Sequence, residues 1–128
     1  MARFEVGVIR DFVAQHFLFG GDFGPENQLH SHHYKLEVAF FGDNLDGHEF
    51  LLDIAAIEGH VEALLTRYRD HTINDLPEFE GRNPSVELFA RILGEGMVRR
   101  LGPVPLGRMS AKLWEHERAY AVYHHDFG

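Results

Sequence analysis

Apolar and polar residues alternate along the first forty positions, which is the pattern of half-buried β-strands. Over residues 3–16 the apolar side chains share one parity, at Phe4, Val6, Val8, Phe12 and Ala14. Over residues 32–40 the alternation runs through Tyr34, Leu36, Val38 and Phe40. Glycine and proline over residues 20–25 predict a loop between the two strands, and residues 43–47 predict a turn after the second.

Helical periodicity replaces the alternation in the middle of the chain. Asp53 is a candidate N-cap, and it precedes apolar residues spaced along one helix face, at Ile54, Ile57, Val61, Leu64, Leu65 and Tyr68. A second helix is predicted to open at Asn83-Pro84, with the proline at the first helical position. Its apolar stripe is Val86, Phe89, Leu93 and Met97, and it ends near residues 101–103.

Two further strands are predicted near the end of the sequence, over residues 109–113 and 119–123. The element order is β-β-α-α-β-β, which predicts an α+β domain with a four-stranded antiparallel sheet and two helices packed on one face. A length of 128 residues suits a single domain over 1–128. Long sheet edges are normally covered or paired, so self-association into an oligomer is expected.

Composition argues against several classes of protein. The chain has 20 acidic and 12 basic residues and a formal net charge of −8, which argues against a nucleic-acid surface. No apolar run reaches the roughly 18 residues of a membrane helix, so no membrane partner is expected. There is no cysteine, so no disulfide, thiolate ligand or cysteine nucleophile is available, and cytoplasmic localisation is the default expectation.

Three histidines carry the main chemical signal. His16 ends the first strand, and His30 and His32 lie two residues apart at the start of the second. Side chains two apart on a strand point to the same face. With His16 they would form a three-nitrogen site with an open fourth position, which is typical of a catalytic zinc. The alternative is three unrelated polar residues near a loop, since the chain has ten histidines.

Glu115 is the second chemical signal, because it continues the inward parity of Met109, Ala111 and Leu113. A carboxylate on that face is costly unless it is paired or hydrogen-bonded. It would suit a ligand that presents two adjacent N–H donors. The alternative is a strand end that emerges into solvent, which the polar residues 116–118 allow.

Five segments together resemble one family. In chain order they are Phe12-Val13-Ala14-Gln15-His16, Leu29-His30-Ser31-His32-His33-Tyr34, Leu51-Leu52-Asp53-Ile54, Asn83-Pro84-Ser85-Val86-Glu87, and Lys112-Leu113-Trp114-Glu115 with Tyr123. They resemble motifs of the 6-pyruvoyltetrahydropterin synthase and 6-carboxytetrahydropterin synthase family of T-fold proteins, over nearly the whole chain.

The resemblance implies a site, a ligand and an assembly. His16, His30 and His32 would be the ligands of a Zn²⁺ ion, and Glu115 would hold the 2-amino-4-oxo edge of a small-molecule pterin. Ser85 and Glu87 would lie near the pterin. The T-fold would assemble into a barrel-like homohexamer, a dimer of trimers, with active sites between subunits.

The sequence departs from the family at the residues that transfer protons. The family's catalytic cysteine stands four residues before the first histidine of its H-G-H motif, where this chain has Glu26. A carboxylate is a usable general base if burial raises its pKa. Some members resemble this chain in carrying Glu there, and they cleave the side chain differently.

The family's second pair of proton-transfer residues, an Asp and a His, has two possible alignments here. Without a gap, Arg69 takes the Asp position and Asp70 the His position, so the whole triad is replaced. With one deletion, Asp70 and His71 keep the pair. The ungapped alignment is simpler and is preferred.

Three functional interpretations follow. The favoured one is a pterin-binding homologue with altered or lost synthase activity, which binds or acts on compounds like dihydroneopterin triphosphate at a His₃ metal site. The alternative is an active zinc-dependent pterin lyase, with Glu26 or Asp70 and His71 moving the proton. The third is a protein that keeps only the fold, with scattered histidines.

Overall fold

A four-stranded antiparallel sheet in the order β1-β2-β3-β4 forms one layer of the protein. The structure, a computed structural model, describes residues 2–128. The strands are β1 Phe4–His16, β2 His30–Gly42, β3 Arg108–His116 and β4 Ala119–Asp126, and the helices are α1 Ile54–Thr66 and α2 Val86–Leu101. The predicted α+β class and element order are confirmed. Within residues 2–128, no helix has the length and apolar character needed to cross a membrane.

At one end of the sheet, β2 is paired with β1 but not with β3. β1 and β2 pair over their full length, from Phe4 opposite Gly42 to His16 opposite His30. The ladder between β2 and β3 stops at Lys35 opposite Trp114. A register shift between Trp114 and His116 then changes the pairing of β3 with β4. The start of β2 is therefore paired with β1 but not with β3, which leaves a gap beside it.

The core lies between the sheet and the helices. The even-numbered side chains of β1 and β2 and the odd-numbered side chains of β3 supply its sheet side, as the alternation predicts. The buried core strand residues are Val8, Phe12, Ala14, Tyr34, Leu36, Val38, Phe40, Met109, Ala111 and Leu113. Phe89 of α2 packs edge-on against the rings of Phe12 and Tyr34, which ties the second helix to the two long strands.

α1 follows the sequence prediction closely. The carboxylate of Asp53 caps it by accepting a hydrogen bond from the backbone N–H of Ala56. The buried face consists of Ile57, Val61, Leu64 and Leu65. Ile54, which was expected on that face, is 49% exposed because it lies at the first turn, beyond the edge of the core.

The prediction for the start of α2 is wrong. Pro84 is not the first helical residue, because Ser85 is the N-cap and Val86 begins the helix. The Ser85 hydroxyl accepts a hydrogen bond from the N–H of Leu88, so its side-chain oxygen fixes the helix start. The predicted end is correct: Gly102 terminates the helix with a φ of 66°, a left-handed value that favours glycine.

An ion-pair network joins the end of α1 to the next loop. The carboxylate of Glu78 accepts hydrogen bonds from Arg67 Nε at 2.7 Å and Nη2 at 2.6 Å, and from the Tyr68 hydroxyl at 2.8 Å. The guanidinium of Arg67 is the main reason that the pKa of Glu78 falls from its ordinary 4.5 to about 2. The folded state therefore favours the ionised carboxylate.

Replacing Glu78 by Gln is expected to destabilise the protein by about 1–2 kcal/mol at pH 7, a modest value because Arg67 is half-exposed and solvent screens the pair. A carboxyl with a lowered pKa stabilises the fold above its unfolded pKa. The difference in the free energy of unfolding between the wild type and Glu78→Gln should therefore become smaller as the pH falls from about 4.5 towards 2. Urea unfolding of both proteins at pH 7 and pH 3 checks this. A difference that does not change with pH would contradict it.

Candidate metal centre and adjoining cavity

Three imidazoles meet at the end of the β1–β2 ladder. His16 and His30 are directly opposite in register, and His32 follows on the same face of β2. The ring centroids of His16 lie 4.5 Å from His30 and 4.9 Å from His32, and those of His30 and His32 are 4.8 Å apart. The structure thus brings together the three histidines that the sequence singled out.

Main-chain carbonyls orient two of these rings. His16 Nδ1 lies 2.9 Å from the carbonyl oxygen of Pro84, and His30 Nδ1 lies 2.6 Å from that of Gln28. A carbonyl only accepts, so both Nδ1 atoms donate, and in the neutral form of each ring Nε2 then has the lone pair that a metal needs. Metal-binding histidines are held in this way in known sites.

The Nε2 atom of His16 has no hydrogen-bond partner, although it is buried among the described residues. An unpartnered buried acceptor is costly, and it requires an explanation. A divalent metal between the three Nε2 atoms would supply the missing partner. The donor set therefore fits a zinc ion.

Glu26 adds a carboxylate to this group. It lies in a short 3₁₀ turn, Gly24–Asn27, between β1 and β2. Its Oε2 atom is 2.6 Å from His30 Nε2, 3.8 Å from His16 Nε2 and 3.9 Å from His32 Nε2. One ligand atom from each of the four side chains lies within 4.8 Å of the others, so the group could hold a metal ion.

Burial favours the neutral form of His16 and His32. It is the main cause that lowers the pKa of His16, against the opposing effect of the hydrogen bond to Pro84. The pKa of His32 is also lowered, first by burial and then by the neighbouring His30. A neutral imidazole is the form that binds a metal ion.

Glu115 lies beside the histidines and faces a cavity. Its side chain is on the helix side of β3, 21% exposed, with Oε1 4.0 Å from His32 Nε2. Burial is the main cause that raises its pKa. The cavity measures about 590 Å³ and occupies the gap where β2 and β3 separate. Its lining includes Ser31, His32, Lys35, Trp114, Glu115 and His116. This volume suits a small organic ligand.

The other predicted site residues lie outside the four-residue group. The Ser85 hydroxyl is used as the cap of α2, and Glu87 is exposed in its first turn. Asp70 and His71 are exposed after α1, where Asp70 N donates to Val13 O and Gln15 N donates to His71 O. Within residues 2–128 no hydrogen bond or ion pair joins Asp70 or His71 to the histidines.

Sequence reasoning missed three groups that shape the site. The carbonyls of Pro84 and Gln28 orient two histidines, but a main-chain oxygen carries no residue-specific signal. The ring of Tyr34 lies 5.5 Å from His32 and 6.4 Å from His16. The apolar alternation could have indicated that the Tyr34 ring packs beneath the histidines, since Tyr34 is the next residue after His32 on the same face of β2.

The fold and the site define the chain as an α+β T-fold protein with a candidate metal centre. A sequence model of the 6-pyruvoyl tetrahydropterin synthase family matches residues 5–126. The chain therefore belongs to the 6-pyruvoyl tetrahydropterin synthase family. In a comparison with curated proteins, none matches.

Solved structures show the same fold. The Caenorhabditis elegans 6-pyruvoyl tetrahydropterin synthase is 18% identical with a TM-score of 0.79, and the match covers 96% of this chain and 94% of that chain. Two variants of the Plasmodium vivax enzyme, with a catalytic-residue glutamate changed to Ala or Cys, are each 15% identical with a TM-score of 0.79. Those matches cover 95% of this chain and 97% of the Plasmodium chains.

Proposed function

We propose that the protein binds a pterin-like ring in the cavity beside Glu115 and directs the ring's side chain to a metal held by His16, His30 and His32. The observation that carries this proposal is the inward carboxylate of Glu115, 4.0 Å from His32 at the edge of the cavity. Family membership supports a pterin as the ligand class. The ligand would be dihydroneopterin triphosphate or a related compound.

Each residue has a separate task in this proposal. The three histidines would hold Zn²⁺, which, when bound, polarises hydroxyl groups and stabilises developing negative charge. The Glu115 carboxylate would accept two parallel N–H bonds from the ring edge and so fix its orientation. Ser85 and Glu87 would lie near the ring from the start of α2, although in this chain the Ser85 hydroxyl already caps the helix.

The proton-transfer set supports altered or lost synthase activity. Glu26 stands where the family has its cysteine, and a carboxylate is a much weaker base than a thiolate, with ordinary pKa values of about 4.3 and 8.5. Among the described residues, no hydrogen bond or ion pair joins Asp70 or His71 to His16, His30 or His32. The standard arrangement of a thiol activated by a neighbouring His and Asp is therefore not formed by one chain.

A second candidate is an active zinc-dependent lyase in which Glu26 takes the proton. The carboxylate position at the three histidines favours it. So does the Plasmodium vivax relative, in which a glutamate is described as a catalytic residue. Incubation with dihydroneopterin triphosphate separates the candidates, because release of triphosphate, acetaldehyde or a hydroxymethylpterin each indicates a different reaction. Turnover that is lost in Glu26→Gln would support the lyase.

The family resemblance also leads us to propose a homohexamer. Apolar side chains on the exposed parts of β1 support pairing between copies, since Phe4, Ile9 and Val13 are 39%, 51% and 36% exposed. Sedimentation analysis would give the assembly mass directly. A monomer at all concentrations would contradict this proposal without affecting the metal site.

Replacing Glu115 by Gln is expected to weaken binding of dihydroneopterin about 30-fold, because one of two charge-assisted hydrogen bonds is lost at a cost of about 2 kcal/mol. Thermal unfolding with and without the pterin measures binding through the shift of the midpoint. Glu117→Gln is the matched control, since Glu117 is exposed at the rim of the same cavity. Equal affinity in the Glu115 and Glu117 variants would contradict the role of Glu115.

A further inference from the structure

We propose that Glu26 is a fourth ligand of the metal centre, so that the resting site is closed and an incoming ligand has to displace this carboxylate. The proposal rests on the proposed function, because it requires a metal at the three histidines. It assigns Glu26 a role that precedes any proton transfer.

The position of the carboxylate is the first observation. A tetrahedral zinc site with bonds of about 2.0–2.1 Å places its ligand atoms about 3.3 Å apart. Glu26 Oε2 lies 2.6 to 3.9 Å from the three Nε2 atoms, so its separations bracket that value. The carboxylate oxygen is therefore close enough to all three Nε2 atoms to bind the same ion as a fourth ligand.

The loop that carries Glu26 is built to hold it there. The carbonyl of Glu26 accepts a hydrogen bond from Leu18 N at 2.8 Å, which ties the turn to the end of β1. The Asn27 amide donates to the carbonyls of Leu18 and Gly21, both at 3.0 Å, and its oxygen accepts from Phe23 N at 2.7 Å. The backbone under the carboxylate is thus fixed by the fold.

Among the four proposed ligands, the Glu26 carboxylate is the one that can move away from the metal, because it is the most exposed. The side chains of His16, His30 and His32 are 1%, 24% and 15% exposed, whereas that of Glu26 is 41% exposed. The histidines are held by strands and carbonyls, but within the described residues the Glu26 carboxylate has only the histidines as partners. It can rotate towards solvent while the three imidazoles keep their places.

The test uses the Co²⁺-loaded protein, whose visible absorption reports the ligands of the ion, with azide as a probe of an open position. The wild-type protein should show no spectral change at azide concentrations that saturate Glu26→Ala. Glu26→Ala should also bind Co²⁺ at least about tenfold more weakly, because a direct ligand is worth at least as much as an outer-shell partner. Glu26→Gln, which preserves size, should resemble Glu26→Ala and thereby exclude simple blocking of the site.

The control is Glu117→Gln, which should behave like the wild type in both measurements. If the wild type and Glu26→Ala bind azide and Co²⁺ equally well, Glu26 is not a ligand, and the proposed function stands. If Glu26→Gln still excludes azide, the side chain only blocks the site and the proposal is also wrong. If the wild type binds no Co²⁺, both the inference and the metal centre of the proposed function are wrong.

Discussion

Zinc should be lost from the protein when His30 is replaced by Ala. The wild type is expected to retain one zinc per chain, and the variant should bind zinc at least about a hundredfold more weakly. Changes to outer-shell partners alone cost about 10- to 100-fold, and His30 is a proposed direct ligand. Its Nδ1 lies 2.6 Å from the Gln28 carbonyl oxygen, and its Nε2 lies 3.1 Å from His32 Nε2, so its ring is oriented towards the proposed metal position.

Metal analysis of protein purified without added zinc, followed by competition with a chelator, measures this effect. His33→Ala is the matched control, because His33 lies on the same strand but on the opposite face, where its side chain is 70% exposed. It should retain zinc like the wild type. Full zinc retention by His30→Ala would show that the imidazoles do not form the proposed centre, even though their rings lie together.

The largest loss of stability is expected for Phe89→Ala, at about 3–5 kcal/mol, which is the usual cost of removing a buried aromatic ring. Phe89 is fully buried, and its ring centroid lies 5.3 to 5.9 Å from those of Phe12, Tyr34, Tyr68 and Phe79. These neighbours come from both long strands, the end of α1 and the loop that precedes α2. Movement of one element therefore could not fill the space that the missing Phe89 ring would leave.

Urea unfolding measures the cost. Phe89→Leu keeps most of the volume and should lose less stability than Phe89→Ala, which keeps the comparison measurable if the alanine variant is largely unfolded. Phe50→Ala is the exposed control, because Phe50 is 58% exposed and should change stability by less than about 0.5 kcal/mol. An equal cost at Phe89 and Phe50 would contradict this account of the core.

Much of the fold could be predicted because burial of one face of a strand or helix requires apolar residues at regular intervals in the sequence. The alternation in β1 and β2 predicted which side chains of these two strands face the core, and the same parity placed His30 and His32 on one face. Asp53 could be predicted as the N-cap of α1 because an Asp directly before an apolar helical stripe commonly accepts a hydrogen bond from the first turn. The first residue of α2 could not be predicted from the sequence. Pro84 suits the first helical position and Ser85 suits the N-cap, and only the backbone conformation decides between these two starts.

The site was predicted less completely, because its parts come from segments that the sequence treats separately. Glu26 was recognised only by its offset from the histidines, and its distance to them depends on how the loop from β1 to β2 closes. Asp70 and His71 follow the end of α1. Their local pattern does not indicate that Asp70 N donates to Val13 O and that Gln15 N donates to His71 O, contacts that join this turn to β1.

The amino-acid pattern predicted the order of the elements, the buried face of β1, β2 and β3, and the three imidazoles on that side of the sheet, because side-chain direction follows from strand geometry. The positions of the two carboxylates depend on how the chain folds in three dimensions. Glu26 reaches the histidines through loop closure, and Glu115 borders a cavity because the ladder between β2 and β3 stops at Lys35 opposite Trp114. Both depend on contacts between distant segments, which no local pattern records.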